Sequence, residues 1–203
     1  MTIHLYHCLR ARSMRPLWTL EEMGLDYELI AMPFPPRVFA KEYKKVNPLG
    51  TVPCMVDGDL NMTESAGICQ YLADQYGPTD LGLKPGDKDY GVYLNWLHRS
   101  DATLTFPQTL YLRYTHHEPE ERKSPQVAND YRMWFLARLR SVETATADRE
   151  YLCADRFTIA DICVGYVLVL AKSLEIEEAF TPNIQKWFDR ITDRPAYKKV
   201  FDM

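Results

Sequence analysis

Residues 2–32 read TIHLYHCLRARSMRPLWTLEEMGLDYELIAM, and this stretch predicts a strand, a helix and a second strand. Thr2–Tyr6 alternates polar and apolar residues, as a half-buried strand does. After Ser13 apolar residues recur at helical spacing, and Gly24 supplies the helix stop. Asp26–Met32 then predicts the second strand. A strand, helix and strand in this order form a parallel crossover unit with a right-handed connection.

The next segment predicts a loop, a hairpin and a helix. Prolines at positions 33, 35 and 36 mark a loop that no helix could cross. Val52–Val56 and Leu60–Met62 flank an Asp-Gly turn and predict an antiparallel hairpin. Glu64–Gln75 then predicts a helix with an apolar inner face. The order predicts a small mixed sheet with helices on its faces.

The second half of the chain has a different character. Glycine and proline crowd residues 78–88, which we interpret as a linker between a first domain at 1–77 and a second at 89–203. The second domain is predicted to be all-helical. Its predicted helices are Tyr90–Tyr114, Ser124–Thr146, Thr158–Leu174 and Pro182–Arg190.

Composition excludes several classes of protein. The 203 residues include 24 basic and 28 acidic side chains, and this net charge of −4 argues against a nucleic-acid partner. No apolar run is long enough for a membrane helix, and the N-terminal residues lack signal-peptide character, so we expect a cytoplasmic protein without a membrane partner. The five cysteines are scattered without Cys-x-x-Cys spacing, which predicts neither disulfides nor a metal site.

The segment Thr158-Ile159-Ala160-Asp161 has the pattern of a capping box. The Thr158 side chain can accept a hydrogen bond from the amide of Asp161, and the Asp161 side chain can reach back to the amide of Thr158. Such a cap stabilises a helix without any ligand, so we assign this motif to folding.

Two features of the first half suit a small peptide ligand. A cis bond at Val52–Pro53 would turn the amide and carbonyl of Val52 outward, where an extended peptide could pair with them. Glu64 and Ser65 open a helix, so amide groups, a hydroxyl and the positive end of the helix dipole favour a carboxylate there. The Glu64 carboxylate could hold an ammonium group. Together these groups could bind the amino-acid end of a peptide.

These residues resemble the glutathione transferase superfamily, in which an α/β thioredoxin-like N-terminal domain precedes an all-α C-terminal domain. The resemblance spans the whole chain. It rests on four ordered motifs: Leu17–Glu28, Val46–Pro53, Thr63–Ile68 and Phe157–Asp161.

The resemblance implies glutathione as cosubstrate, without a metal. It implies that Val52, beside Pro53, pairs with the cysteinyl backbone of glutathione, while Glu64 and Ser65 hold its γ-glutamyl end. At the other end of glutathione, the resemblance implies Arg37 and Lys41 for the glycine carboxylate. It also implies that Asp101 reaches the glutathione of the partner subunit in a homodimer.

The residue that activates the glutathione thiol has three candidates. In serine-type members of the superfamily the donor lies in the loop between the first strand and the first helix. Ser13 has a suitable hydroxyl at the first turn of that helix, but it could equally be an N-cap. Tyr6, with Arg10 and Arg12, resembles the tyrosine-type pattern. Cys8 stands where a redox cysteine would lie, and the two arginines would lower its pKa if they point inward. Several classes place the donor at a position occupied here by Ala11 or Arg10.

The sequence therefore leaves three functional hypotheses. The first is a homodimeric glutathione transferase that delivers the glutathione thiolate to a small hydrophobic electrophile. The second is a glutathione-dependent thiol-disulfide oxidoreductase that uses Cys8. The third is a non-catalytic binding protein that has kept the fold.

Overall fold

The computed structural model describes residues 2–177 and 180–201. Within them, one mixed sheet has the strand order β2-β1-β3-β4. Its strands are β1 Ile3–His7, β2 Tyr27–Ala31, β3 Cys54–Asp57 and β4 Leu60–Met62. β1 runs parallel to β2 and antiparallel to β3, and β3 runs antiparallel to β4. This is the predicted crossover unit followed by the predicted hairpin.

Two helices of this unit pack against each other. Helix α1 (Met14–Met23) connects β1 to β2 and packs against α3 (Ser65–Gln75). Leu17 of α1 and Ile68 of α3 are completely buried. Gly24 adopts a left-handed φ of 62° and ends α1, because glycine carries no Cβ penalty there.

Two details of this unit differ from the sequence prediction. The proline loop contains a short helix, α2 (Pro36–Phe39), because proline is tolerated in the first turn of a helix, where its missing N–H is not needed. A 3-10 turn at Lys41–Lys45 follows. Strand β3 begins at Cys54 rather than at Val52, so Val52 and Pro53 precede the strand ladder.

The helical unit contains α4 Tyr90–Arg99, α5 Phe106–Leu112, α6 Pro125–Thr146, α7 Ile159–Ser173 and α8 Pro182–Thr192. π-helical turns at Ser100–Thr105 and Arg113–His117 make α4 and α5 one continuous helical stretch, as predicted. Helix α7 packs against α4 and α8. It is buried on nearly all sides because it is apolar all round. In the described part of the chain, no helix is both long and apolar enough to cross a membrane.

The chain divides into two compact units, with the first boundary between Gly82 and Leu83, inside the predicted linker. Residues 193–201 belong to the first unit, whereas the sequence had assigned them to the helical domain. Their helix, α9 (Pro195–Phe201), packs on α1. The side-chain contacts include a paired Arg194–Glu22 contact at 2.7 Å and Trp18 packed edge-on against Tyr197 at 4.9 Å.

Candidate functional site

The segment before β3 holds the peptide group between Thr51 and Val52 in one orientation. The carbonyl oxygen of Thr51 accepts hydrogen bonds from the Asn47 Nδ2 group at 2.8 Å and the Tyr43 hydroxyl at 2.7 Å. In a trans peptide the N–H points opposite to the carbonyl, so the amide of Val52 points away from these two anchors. Neither the amide nor the carbonyl of Val52 has a hydrogen-bond partner among the described residues. The peptide bond between Val52 and Pro53 is cis, the isomer considered in the sequence analysis.

Gly50 sets the distance between this segment and α2. Its φ is +61°, and a Cβ at this position would lie 2.7 Å from Cβ of Arg37. A larger residue would therefore push the two segments apart. The close contact places the backbone of Arg37 beside the loop that leads to Val52.

The N-terminus of α3 is open. Glu64 occupies the N-cap position with φ −87° and ψ 113°, and its side chain makes no capping hydrogen bond. The carboxylate of Glu64 is exposed, with no partner among the described residues. The amides of residues 65–67 likewise lack a partner within the described ranges. This helix end therefore retains the free N–H groups and positive dipole end that bind anions.

The register of the β3–β4 hairpin shows how the Val52 segment and the N-terminus of α3 are related. Met55 of β3 pairs with Met62 of β4 at the last step of the ladder. The residues before Met55 and those after Met62 therefore leave the hairpin at the same end. The outward amide of Val52 and the open start of α3 at Ser65 thus belong to one end of the sheet, as a site for the amino-acid end of a peptide requires.

Arg15 lies beside the start of α3 and was not among the predicted site residues. This side chain is completely buried, and its Nη1 donates a hydrogen bond of 3.0 Å to Oγ of Ser65. A charged residue inside the apolar stripe of α1 is the signal that could have revealed it.

The hydroxyl of Ser13 is directed into the protein. Oγ lies 2.9 Å from Nδ1 of His7, accepts a hydrogen bond from the Cys8 amide at 3.2 Å and lies 3.3 Å from the Cys8 carbonyl. Ser13 is fully buried and its side chain does not cap α1. The single hydroxyl proton has an internal acceptor in either His7 tautomer, so this geometry opposes the predicted role of Ser13 as a donor to a bound thiolate. The absence of a capping hydrogen bond opposes the alternative prediction that the Ser13 side chain caps α1.

Cys8 differs from the redox cysteine that the sequence suggested. Its side chain is 2% exposed, and Sγ donates to the carbonyl of Met32 at 3.2 Å. Burial raises the pKa of Cys8 to about 11. The expected lowering by Arg10 and Arg12 is therefore not found, and the thiol is protonated at neutral pH.

Tyr6 is half-buried on β1, and its ring packs against the ring of Tyr43 at 5.0 Å between centroids. Tyr43 is one of the two residues whose side chains donate to the Thr51 carbonyl. The hydroxyl of Tyr6 makes no hydrogen bond to another described residue. Of the three candidates, Tyr6 alone retains a free donor group.

The remaining predicted residues lie at the periphery. Arg37 on α2 and Lys41 at the start of the 3-10 turn are exposed, and neither forms an ion pair with a described residue. Asp101 is half-buried in the π-helical turn of the second unit. Its predicted contact with a partner's glutathione stays a prediction.

Family comparisons match both halves of the chain. A model of the glutathione S-transferase N-terminal domain matches residues 1–74, and a model of the C-terminal domain matches residues 106–195. Glutathione S-transferase 2 of Schizosaccharomyces pombe is 30% identical over 206 residues, which cover 90% of this chain and 87% of that protein.

Two further similarities extend over almost the full length. Protein LigF of a Sphingobium species is 26% identical over 246 residues, covering 100% of this chain and 94% of LigF. The glutathione transferase URE2P6 of Phanerochaete chrysosporium, crystallised with oxidized glutathione, superposes with a TM-score of 0.86 at 29% identity. That superposition covers 99% of this chain and 95% of the other.

Proposed function

Because the chain belongs to the glutathione S-transferase family, we propose that it binds glutathione and transfers its thiolate to a small hydrophobic electrophile. The observation that carries the proposal is the open first turn of α3, which shares one end of the hairpin with the outward amide of Val52. An extended peptide backbone pairs with Val52 as an added strand. The terminal carboxylate binds the amides and hydroxyl at Ser65, and the ammonium group binds Glu64.

Arg37 and Lys41 complete the proposed site at its other end. Both are exposed cations without an ion-pair partner among the described residues, so their charges are available to the glycine carboxylate of glutathione. Each supplies only a solvent-exposed contact, and we expect each to contribute less than Glu64 or Ser65.

Catalysis requires that the bound thiol lose its proton, which passes to solvent. A hydrogen-bond donor aimed at the sulfur favours the thiolate and lowers the thiol pKa. The sulfur then attacks the electrophilic carbon, an S–C bond forms, and a leaving group such as chloride departs with its bonding electrons. We assign the donor to Tyr6 in place of Ser13, because the Ser13 hydroxyl already serves His7 and Cys8.

Binding is tested by titrating the purified protein with glutathione in a calorimeter and by thermal unfolding with and without the ligand. We expect saturable binding and a higher unfolding temperature. Absence of both effects would refute the proposal. The transfer step is tested with 1-chloro-2,4-dinitrobenzene as the electrophile, by following the absorbance of the conjugate.

The donor is identified by the ultraviolet absorbance of enzyme-bound thiolate as a function of pH. We expect Tyr6→Phe to raise the pKa of bound glutathione, and Ser13→Ala to leave it unchanged in protein that remains folded. The opposite result would return the role to Ser13. If neither variant shifts the pKa, the assignment to Tyr6 is wrong.

A binding protein without catalytic activity is the second candidate function. It is favoured by the inward hydroxyl of Ser13 and by Ala11 or Arg10 at the position where several classes carry their donor. If the wild type converts the model electrophile and Tyr6→Phe lowers the rate, the non-catalytic hypothesis is excluded. The oxidoreductase hypothesis has less support, because Cys8 is buried with a pKa of about 11. Full activity of Cys8→Ser would eliminate that hypothesis.

The proposal includes a cytoplasmic homodimer in which Asp101 reaches the partner's glutathione. Light scattering during size-exclusion chromatography tests the dimer. If Asp101 acts across the interface, Asp101→Asn will weaken glutathione binding without changing the mass of the dimer. A monomeric protein that binds glutathione fully would contradict this part of the proposal.

A further inference from the structure

Exposed apolar side chains concentrate in one short part of the first unit, residues 34–49, which we call the α2 segment. Of the eleven large apolar residues that are exposed in the described ranges, four lie in this segment. They are Phe34, Val38, Phe39 and Leu49, each with half or more of its surface exposed. Single exposed apolar residues are ordinary on a protein surface, whereas several together mark an interaction surface.

The buried side chains of the α2 segment hold its backbone in place. Tyr43 and Asn47 are buried, and both donate hydrogen bonds to the backbone that precedes β3. Gly50, the neighbour of Leu49, lies against Arg37 of α2. The two ends of the segment therefore lie near each other, and their exposed apolar side chains belong to one region of the surface.

The same segment is strongly basic. It carries four cations and one acid, which gives it a net charge of +3 in a chain whose net charge is −4. The cations are Arg37, Lys41, Lys44 and Lys45, and all four are exposed. Lys45 forms an ion pair with Glu42, whereas Lys44 has no ion-pair partner among the described residues. The segment therefore fits a partner that is anionic at its surface and apolar beneath it.

The size of the segment separates two kinds of anionic partner. A stable protein interface takes about 20–30 residues from each partner. The α2 segment has only 16 residues, and some of them are buried. A lipid surface needs no such continuous area, because each apolar side chain and each cation at the headgroups contributes to binding separately. Long basic side chains beside apolar ones are also favoured at a bilayer surface. These features favour a lipid surface over an acidic protein.

We propose that the α2 segment binds the surface of an anionic lipid bilayer. Phe39 and Val38 enter the boundary between headgroups and acyl chains, and Lys44 and Lys45 lie at the level of the anionic headgroups. This peripheral binding differs from the sequence expectation of no membrane partner, which considered only membrane helices and signal peptides. The inference does not depend on the proposed transfer reaction, because these four side chains have no role in the proposed glutathione site.

The test is flotation of the full-length protein with lipid vesicles in a density gradient. Vesicles of phosphatidylserine and phosphatidylcholine in equal amounts are compared with vesicles of phosphatidylcholine alone. We expect the wild type to bind the mixed vesicles and to bind the neutral vesicles at least tenfold more weakly. Raising the salt from about 0.1 M to about 1 M should release the protein, because the Debye length falls from about 10 Å to about 3 Å.

Two variants separate the apolar and the charged contributions. Phe39→Ser should lower the partition coefficient on mixed vesicles about tenfold, because an exposed phenyl group no longer enters the bilayer. Lys44→Gln combined with Lys45→Gln should also lower it about tenfold on mixed vesicles, and less than twofold on neutral ones. Both losses are required, so binding that survives either variant would overturn the inference.

Matched controls lie outside the α2 segment. Met133 is an apolar residue with 53% of its surface exposed, and Lys84 and Lys88 are exposed lysines without an ion-pair partner among the described residues. Met133→Ser and the double variant Lys84→Gln with Lys88→Gln should change the partition coefficient less than twofold. Equal losses in these controls would show that binding follows overall composition, and the inference would be wrong.

The remaining outcomes concern other partners for the same surface. Light scattering during chromatography should give Phe39→Ser the mass of the wild type. A lower mass would show that the α2 segment is an interface between copies of this chain, and would overturn the inference. Binding of soluble polyglutamate without binding of mixed vesicles would identify an acidic polypeptide as the partner, with the same consequence. Unchanged thermal unfolding of each variant establishes that it is folded.

Discussion

Helices α3 and α7 begin with similar residues but differ in their first turns. In α7 side chains of the chain itself cap the helix, whereas in α3 no side chain does. Thr63-Glu64-Ser65-Ala66 leads into α3, and Thr158-Ile159-Ala160-Asp161 leads into α7. Each segment has a threonine and an acidic residue near the helix start. In α7 the acidic residue stands three positions after the N-cap, from where it can reach back. In α3 the acidic residue is itself the N-cap and makes no capping bond.

The start of α7 is closed by its own side chains. Asp161 is completely buried and accepts hydrogen bonds from the Thr158 amide at 2.9 Å, the Leu152 amide at 3.0 Å and Nε1 of Trp187 at 3.1 Å. Thr158 accepts from the Ala160 amide at 3.2 Å. Burial nevertheless raises the pKa of Asp161 to about 6, against the effect of these donors. This arrangement confirms the capping box that the sequence predicts.

The comparison shows how one structural device serves two purposes. A helix N-terminus has free amides that something must satisfy. In α7 side chains of the protein accept these hydrogen bonds, and the cap stabilises the fold. In α3 no side chain accepts them, so the same amides remain available to a ligand. Substitutions at the two helix ends should therefore separate stability from glutathione affinity.

The largest effect is expected from Asp161→Ala. Removal of the carboxylate leaves the amides of Leu152 and Thr158 and the Trp187 indole without their acceptor. The free energy of unfolding should fall by about 3 kcal/mol or more, since each buried donor costs about 1–3 kcal/mol when unsatisfied. Urea denaturation measures this change. Glutathione affinity of the folded variant should stay within twofold, and a loss of stability below about 1 kcal/mol would contradict the comparison.

Glu64→Gln should have the opposite signature. Its carboxylate has no partner among the described residues, so the free energy of unfolding should change by less than about 0.5 kcal/mol. The Kd for glutathione should rise about tenfold, because a charged hydrogen bond to the ligand is lost. Asp74→Asn is a matched control, since Asp74 is exposed near the other end of α3. An equal effect of both variants on the Kd would argue against a specific role for Glu64.

Thr158→Ala tests the smaller half of the capping box. Loss of a threonine N-cap costs about 0.5–2 kcal/mol, so the urea midpoint should fall with an unchanged slope. Thr158→Ser keeps the hydroxyl and should recover most of the stability. If serine and alanine destabilise the protein equally, the hydroxyl is not what caps α7.

The smallest effect is expected when the capping box of α7 is introduced at the start of α3. Glu64→Thr combined with Gly67→Asp introduces Thr-x-x-Asp at the start of α3. A Cβ at position 67 meets only ordinary contacts, with Cβ of Glu64 at 3.7 Å and Cε of Met62 at 3.8 Å. Relative to Glu64→Thr alone, the double variant should gain about 0.5–1 kcal/mol of unfolding free energy and bind glutathione more weakly. A double variant that binds glutathione as tightly as Glu64→Thr alone would show that the open amides of α3 do not bind the ligand.

Much of the fold was predictable because its determinants are local. Strand alternation, helical spacing and the Asp-Gly turn predicted the sheet unit and hairpin from short stretches of sequence. The short helix α2 was missed because prolines were interpreted only as helix breakers. The docking of α9 on α1 was missed because its contacts, such as Arg194 with Glu22, join residues at opposite ends of the chain.

The candidate site was predictable where a short motif determines the local backbone conformation. Val52 and Pro53 and the start of α3 at Glu64 lie in the geometry that the motifs suggested, although their role in binding stays a proposal. The three candidates for the thiolate donor could not be ranked, because the direction of a side chain in a loop depends on distant contacts. The thiol of Cys8, for example, donates to a carbonyl at Met32.

The sequence by itself therefore determined the order of the four strands, α1 and α3 in the first unit, the closed end of α7 and the segments that form the open end of α3. Only the tertiary structure decided which side chains are withdrawn from solvent. It directs the Ser13 hydroxyl inward, raises the pKa of Cys8 by burial and brings the guanidinium of Arg15 to Ser65, 50 residues along the chain. The physical reason is that helical and strand periodicity depends on neighbouring residues, whereas burial and hydrogen-bond partners depend on which surfaces meet when the chain folds.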